Sequence, residues 1–230
     1  MTIEATRPDV ARAFIPSSLP SAVRVLAVTA RPGQESADLG GLLFAFRRSG
    51  ADLSLLCLTR GEASQHNAGT ARLEASRPWE VQMAASILGI RRVTVAGYRD
   101  GNLHHYHTPD LAERIQRAVS EYTADLVLVV APETGDIADA AVARAATAAA
   151  LQAGVAIAAR TRPGVSGAWM LDLGVDAEVA RAIQKSAAAA HASQADALPE
   201  LISRLDQLGS VEALRWLVSP VRVPPQRVMP

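Results

Sequence analysis

The sequence is poor in cysteine, in aromatic residues and in net charge. Its one cysteine, Cys57, excludes an internal disulfide and suits a reducing cytoplasm. Aromatic residues make up 4%, which argues against a stacking surface for single-stranded nucleic acid. The 23 basic residues balance the 23 acidic ones, so no overall field attracts nucleic acid or an anionic membrane. No apolar run approaches the ~20 residues that span a bilayer. We therefore expect a soluble, cytoplasmic protein that binds a small molecule.

The two ends of the chain differ in composition from its middle. Residues 1–22 contain several prolines and no sustained period, which indicates an N-terminal arm. Residues 23–218 are long enough and apolar enough for one α/β domain. Residues 219–230 form a proline-rich tail.

Short apolar or β-branched runs alternate with longer segments of helical spacing. The predicted strands are residues 23–29, 53–59, 92–96, 126–130 and 167–173. The predicted helices are residues 37–48, 72–88, 109–122 and 138–153, and residues 177–218 are predicted to be mostly helical. This alternation predicts an α/β fold: a Rossmann-like, doubly wound, mostly parallel sheet with helices on both faces and a helical C-terminal extension. The apolar C-terminal helices offer an interface for a homo-oligomer.

In such a sheet a ligand binds beyond the carboxyl ends of the strands, which selects the loops after Thr29, Thr59, Ala96 and Val130. The chain has no serine in a nucleophile elbow and no glycine-rich phosphate loop. The pair Gly40 and Gly41 lies inside a predicted helix, where it favours close packing of that helix. A nucleotide-dependent enzyme is therefore disfavoured.

Five sequence elements occur in order around these loops. They are residues 59–64 (TRGEAS), Arg77 with Glu80, residues 88–90 (LGI), residues 100–103 (DGNL), and Lys185 followed by residues 191–194 (HASQ). Together they resemble the LmbE-like or PIG-L family, the GlcNAc-phosphatidylinositol deacetylases, which are zinc-dependent amide hydrolases. The resemblance extends from about residue 23 to residue 217. We expect His191, and Arg77 with Glu80, to act in helix packing rather than in catalysis.

The zinc-binding motifs of that family are altered in this chain. The family's first loop has the sequence His-Pro-Asp-Asp-Glu, in which the histidine and the second aspartate bind zinc and the first aspartate is the general base. Residues 31–35 are Arg-Pro-Gly-Gln-Glu, so the resemblance puts Arg31, Gly33 and Gln34 at those three positions. The family's second motif, His-Pro-Asp-His, supplies a third zinc ligand and aligns with residues 136–139. An alignment shifted by one residue puts Ala140 at the ligand position instead. Neither register restores a histidine.

A catalytic zinc ion typically needs about three ligands from His, Asp, Glu or Cys. Arginine has no lone pair, and glutamine is a weak neutral ligand. We therefore expect no zinc cofactor and no deacetylation by the family mechanism. Two interpretations of Arg31 remain. It is either a surface loop residue or a cation that replaces the charge of zinc by pairing with Asp136 or Asp139.

Other residues of the predicted cleft also have alternative roles. The resemblance puts Arg60, Glu62 and Asp100 near the substrate, so we expect them in the ligand-binding cleft, although ion pairs between loops would use the same residues. His104 begins a His-His-Tyr-His run that either lines the pocket or forms a solvated loop. His66 lies in the long loop after Thr59, which could form a lid.

Three functions are compatible with these residues. The first is a family member without zinc that binds a small ligand and does not hydrolyse it, as a pseudoenzyme. The second is a metal-independent enzyme acting on a small sugar-derived or N-acyl substrate through Arg31, Asp136, Asp139, Asp100 or a histidine of residues 104–107. The third is a zinc deacetylase with an unusual ligand set. No residue is assigned as catalytic.

Overall fold

The computed structural model describes residues 19–63 and 73–220. The strands are β1 (Arg24–Thr29), β2 (Asp52–Thr59), β3 (Arg92–Tyr98), β4 (Leu126–Val130), β5 (Ala156–Thr161), β6 (Trp169–Asp172) and β7 (Val211–Val218). The α-helices are α1 (Gln34–Ala37), α2 (Gly40–Arg48), α3 (Leu73–Leu88), α4 (Thr108–Tyr122), α5 (Ile137–Ala153), α6 (Ala177–Ala189) and α7 (Leu198–Leu208). Short 3₁₀ turns join several of these elements.

The strands form one seven-stranded sheet in the order β3-β2-β1-β4-β5-β7-β6. Strands β1 to β5 run parallel, whereas β7 is antiparallel to both β5 and β6. Side chains of β1, β2 and β4 are almost all buried, because helices cover both faces of the sheet. The predicted mostly parallel α/β sheet with helices on both faces is confirmed.

Two apolar layers hold the helices on the sheet. One face carries α4 and α5, whose alanine, leucine and isoleucine side chains pack on the side chains of β1, β2 and β4 that point that way. The opposite face carries α2, α3 and α6 on the alternate residues of the same strands. The buried side chains of α5 are mostly alanines, which pack in the same apolar layer as the strands.

Two strands near the C-terminus were not predicted. Residues 211–218, the end of a segment predicted to be mostly helical, form β7. Strand β5 has the alanine-rich sequence AIAART, which resembles the preceding helix in composition. Small side chains suit a buried strand that is flanked on both sides, so pairing with neighbours overrides local propensity here. The predicted helical C-terminal extension consists of α6 and α7, which lead into a strand between β5 and β6 that was not predicted.

The paired glycines of α2 allow α6 and β7 to approach. A Cβ atom on Gly41 would lie 2.2 Å from Glu212 Oε1 and 2.6 Å from Arg181 Nη1. A Cβ atom on Gly40 would lie 2.7 Å from Cγ of Gln184. The predicted packing role of Gly40 and Gly41 is confirmed.

Successive strands are added to opposite sides of the sheet on either side of the boundary between β1 and β4. After β1 the chain continues to β2 and β3 on one side, and β4 and β5 extend the other side. Loops leaving the carboxyl ends of β1 and β4 diverge at this point, which makes a crevice where α/β proteins bind ligands. No helix of residues 19–63 and 73–220 is long and apolar enough to cross a membrane.

Candidate functional site

The loop after β1 turns sharply into α1. Gly33 caps this short helix with φ of 98°, in the left-handed region that favours glycine. Its backbone N–H donates to Glu35 Oε2 at 2.9 Å. The turn places Arg31 on the rim and Gln34 in the interior of the crevice.

Arg31 faces the loop after β4. Its Nη2 donates to Asp136 Oδ2 at 2.5 Å, and the two side chains are 40% and 27% exposed. Asp136 is also the N-cap of α5, because its Oδ1 accepts from the backbone N–H of Ala138 at 2.8 Å. The cap fixes the carboxylate in place, and its second oxygen is free to meet the guanidinium.

Gln34 reaches the first turn of the same helix. Its Nε2 donates to Asp139 Oδ1 at 2.7 Å, and its Oε1 accepts from the backbone N–H of Ala30 at 2.9 Å. The other oxygen of Asp139 accepts from Thr134 Oγ1 at 3.1 Å. Asp139 is therefore the side chain that faces Gln34, whereas Ala140 has no polar side chain to offer.

The charges of this cluster shift one another's pKa. Burial alone would lower the pKa of Arg31, but the hydrogen bond and charge of Asp136 raise it, helped by Asp139 and Asp100. Burial opposes ionisation of Asp136, yet Arg31 and the helix N–H groups hold its pKa below the ordinary value. Burial raises the pKa of Asp139, and the negative charge of Asp136 adds to this rise against the hydrogen bond from Gln34. Arg31 and Asp136 thus form a charged pair beside a harder-to-ionise carboxyl.

The other predicted cleft residues mainly connect loops. Glu62 Oε1 accepts from the backbone N–H of Asp100 at 2.9 Å. Asp100 Oδ2 accepts from the backbone N–H of Ala63 at 3.1 Å. Arg60 is exposed on the loop after β2. His104 is half-buried, and its ring centroid lies 3.9 Å from that of His105.

The structure therefore brings together Arg31, Gln34, Asp136 and Asp139. Asp100 lies close enough for its charge to act on Arg31. Glu62 joins the cluster through Asp100. His66 lies outside the described residues.

A second polar cluster, unpredicted as a unit, supports α1 from behind. Glu35 is fully buried, and its Oε1 lies 2.6 Å from Nε2 of His191, whose side chain is 3% exposed. Ser193 Oγ donates to Glu80 Oε2 at 2.6 Å, and Arg77 Nη1 donates to the carbonyl of Gly61 at 2.5 Å. His191, Arg77 and Glu80 hold helices and loops together, as expected.

An open cavity of about 210 Å³ adjoins Arg31. The loop and α1 form one wall, which includes Arg31, Gln34 and Asp38. The other wall comes from α6, α7 and the turn between them, and includes Ala188, Leu198 and Leu201. Of the residues that form this second wall, only His191 and Gln194 belong to a motif, and the sequence did not indicate that they face Arg31.

The side chains of this crevice do not fit a zinc ion. Within the described ranges no group of three or more His, Cys, Asp or Glu residues is arranged to hold a metal. Arg31 is cationic and has no lone pair, while the amide oxygen of Gln34 already accepts a backbone hydrogen bond. Both oxygens of Asp139 accept hydrogen bonds from neutral donors.

Comparison with known families and proteins agrees with this fold. The family described as PIG-L, GlcNAc-PI de-N-acetylase, matches residues 26–151. A probable N-acetyl-alpha-D-glucosaminyl L-malate deacetylase 2 of Bacillus anthracis is 33% identical over 113 residues, which are 47% of this chain and 50% of that protein. The match thus spans half the length of the curated relative.

Solved structures share the fold at lower identity. A deacetylase of teicoplanin biosynthesis superposes with a TM-score of 0.68 at 15% identity, covering 84% of this chain and 96% of that one. The 4-carboxy-2-hydroxymuconate hydratase of Pseudomonas putida KT2440 superposes with a TM-score of 0.65 at 17% identity, covering 86% and 97%. The fold therefore occurs in a hydratase as well as in deacetylases. On the family match, which covers more than half of its length, the chain belongs to the PIG-L (LmbE-like) family.

Proposed function

We propose that this chain is a PIG-L family member that binds a small molecule in the crevice and does not carry out zinc-dependent deacetylation. One observation carries the proposal: the side chains at all three positions where the family motifs have metal ligands, residues 31, 34 and 139, are engaged within the protein by the Arg31–Asp136 ion pair and the Gln34–Asp139 hydrogen bond. The polar groups there contact one another. The guanidinium of Arg31 supplies a positive charge at this place from the chain itself.

A guanidinium does not reproduce the chemistry of the metal. Zinc lowers the pKa of a bound water to roughly 7 and polarises the scissile carbonyl. Arg31 donates hydrogen bonds and supplies positive charge, but it has no vacant orbital for a water oxygen. Gly33, at the position of the family's general base, has no side chain to take a proton. Hydrolysis therefore lacks its activated water and its base.

Metal content and amine release test the proposal together. Purified protein is incubated with zinc, desalted and analysed for bound metal, and release of amine from N-acetylglucosamine is followed by fluorescence labelling. We expect metal far below one equivalent per chain and no release above buffer. One tightly held zinc per chain with deacetylation would refute the proposal.

A restored variant is the matched control. It combines Arg31→His, Gly33→Asp, Gln34→Asp and Asp139→His, which puts the family's side chains at these positions. Aspartate is among the residues that best tolerate positive φ, so it is the substitution with the least strain at residue 33. We expect this variant to bind zinc more tightly than wild type. Equal zinc binding by the two proteins would contradict the role assigned to Arg31 and Gln34.

A metal-independent enzyme is the second candidate, and the raised pKa of Asp139 favours it. A hydratase with the same fold shows that such a fold is not confined to deacetylases. However, both oxygens of Asp139 are engaged by Gln34 and Thr134, and Asp139 does not line the cavity, so we prefer ligand binding. Amine release that persists in EDTA and disappears in Asp139→Asn would establish this second candidate instead.

A further inference from the structure

The cavity beside Arg31 is built from two distant parts of the chain. One wall follows β1 and lies within residues 26–151, which match the family. The opposite wall, with Ala188, Leu198 and Leu201, lies beyond that match. Arg31 and Asp38, the arginine and the aspartate of the cavity, therefore lie within the matched region, whereas the leucine-bearing wall lies beyond it.

Most polar side chains of the cavity are satisfied by protein partners. The amide of Gln34 donates to Asp139 and accepts from Ala30. His191 contacts Glu35 through Nε2, whereas its Nδ1 has no hydrogen-bond partner among the described residues but is buried away from the cavity surface. These side chains form walls and leave little capacity for a ligand.

Arg31 retains hydrogen-bonding capacity toward the cavity. A guanidinium has five N–H donors. Among the described residues, Asp136 is the side chain that accepts from it, through Nη2. Because the Arg31 side chain is 40% exposed and lines the cavity, its remaining donors can meet an acceptor on a ligand.

Asp38 is the acidic side chain of the same cavity. It is 17% exposed, and its Oδ1 accepts from Arg204 Nη2 at 3.2 Å on the outer surface. Its charge also raises the pKa of Asp139, which places it within electrostatic reach of the Arg31 cluster. A carboxylate has two oxygens and about four acceptor sites, so Asp38 can accept from a ligand as well.

Aliphatic side chains complete the cavity. Ala37, Ala188, Leu198 and Leu201 line it together with the two charged residues. Its volume of about 210 Å³ is smaller than the roughly 300–1,000 Å³ typical of sites for drug-sized ligands. The ligand must be small, with a compact apolar part.

We propose that this cavity binds a free α-amino acid with a small aliphatic side chain. The ligand carboxylate accepts from Arg31, the ammonium group donates to Asp38, and the side chain contacts Leu198 and Leu201. A zwitterion fits better than a simple acid, since Asp136, Asp139 and Asp100 already surround Arg31 with negative charge. The inference rests on the proposed function, because it requires Arg31 rather than a metal to supply the positive charge of the cavity.

Matched ligands test the zwitterion directly by isothermal titration calorimetry on the full chain. L-leucine is compared with 4-methylpentanoate, which lacks the ammonium group, and with isopentylamine, which lacks the carboxylate. We expect L-leucine to bind and each analogue to bind at least about tenfold more weakly. If 4-methylpentanoate binds as tightly as L-leucine, or if L-leucine does not bind, the inference is wrong.

Charge-matched variants test the two contacts. Asp38→Asn is compared with Asp196→Asn, an exposed acid outside the cavity, and Arg31→Gln with Arg144→Gln, an exposed base on α5. We expect Asp38→Asn and Arg31→Gln to weaken L-leucine binding at least about tenfold and the controls to leave it unchanged. Circular dichroism spectra and melting temperatures show whether each variant is folded, and equal affinities among folded variants would overturn the inference.

The two proposals fail in different ways. Stoichiometric zinc together with deacetylation by the wild-type protein refutes the proposed function whatever leucine does. Absence of leucine binding by metal-free, inactive protein refutes only the amino-acid ligand and leaves the proposed function standing.

Discussion

The contact between Glu35 and His191 should contribute strongly to stability, and His191→Ala tests it. Glu35 is fully buried and His191 is 3% exposed, and the Oε1 and Nε2 atoms are 2.6 Å apart. Removing one partner of a buried pair costs about 3–5 kcal/mol, because the other polar group is left in the interior. Glu35 keeps hydrogen bonds from Gly33 N at 2.9 Å and Ser36 Oγ at 3.0 Å. We therefore expect the lower end, about 3 kcal/mol.

Urea denaturation followed by circular dichroism measures this loss. With a slope of about 2 kcal/mol/M, the midpoint of His191→Ala should fall by about 1.5 M. His105→Ala, an exposed histidine, is the control and should stay within about 0.5 kcal/mol of wild type. A double-mutant cycle with Glu35→Gln and His191→Gln isolates the contact. Additive effects in the cycle, or a loss below about 1 kcal/mol for His191→Ala, would refute the reasoning.

Two further predictions concern charge and packing. The pKa of Asp139 is raised above 3.8 in the folded protein, so its contribution to stability falls as pH rises above that value, and Asp139→Asn should gain stability relative to wild type over this range. The pKa of Asp136 is lowered, so its contribution to stability is present above pH 3.8 and lost as pH falls through the folded value. Asp136→Asn should therefore lose stability relative to wild type as pH rises. Urea titrations in which the stability difference from wild type changes with pH in the same direction for both variants would contradict the assignment. Gly41→Ala should destabilise by about 1–3 kcal/mol, since its Cβ would lie 2.2 Å from Glu212 Oε1, whereas Gly97→Ala, with no atom within 4 Å of the new Cβ, should change thermal stability little; equal melting temperatures would contradict this account.

Sequence patterns predicted the parallel half of the sheet well. Strands β1, β2 and β4 are short runs rich in leucine or valine, a composition that separates them from the helices. Strand β5 follows the alanine-rich α5 and contains three alanines itself, so no change of composition marks it. Its strand conformation comes from pairing with β4 and β7, which a single sequence does not specify.

The site was predictable where a motif fixed the position and not where a distant segment completed it. Arg31, Gln34, Asp136 and Asp139 were found because they replace family residues, and the structure brings them together. The contact of Glu35 with His191 joins residues 156 positions apart, and neither residue type indicates its partner. The cavity wall formed by residues 188–201 was not predicted for the same reason, because it lies far along the chain from the residues that it faces.

The geometry also shows that Arg31 is coupled to the carboxylates beside it. Asp136 is needed as the N-cap of α5, and it carries a negative charge at the mouth of the crevice with Asp139 close behind it. By the family resemblance, Asp136 and Asp139 stand where the motif has histidines, and two neighbouring carboxylates repel each other without a cation. Arg31 supplies that cation from the chain itself, whereas Gln34 holds the less ionised carboxyl through a neutral hydrogen bond. We infer that the arginine and the glutamine act as a pair, and that replacing either one alone by a family residue would leave a charge unbalanced.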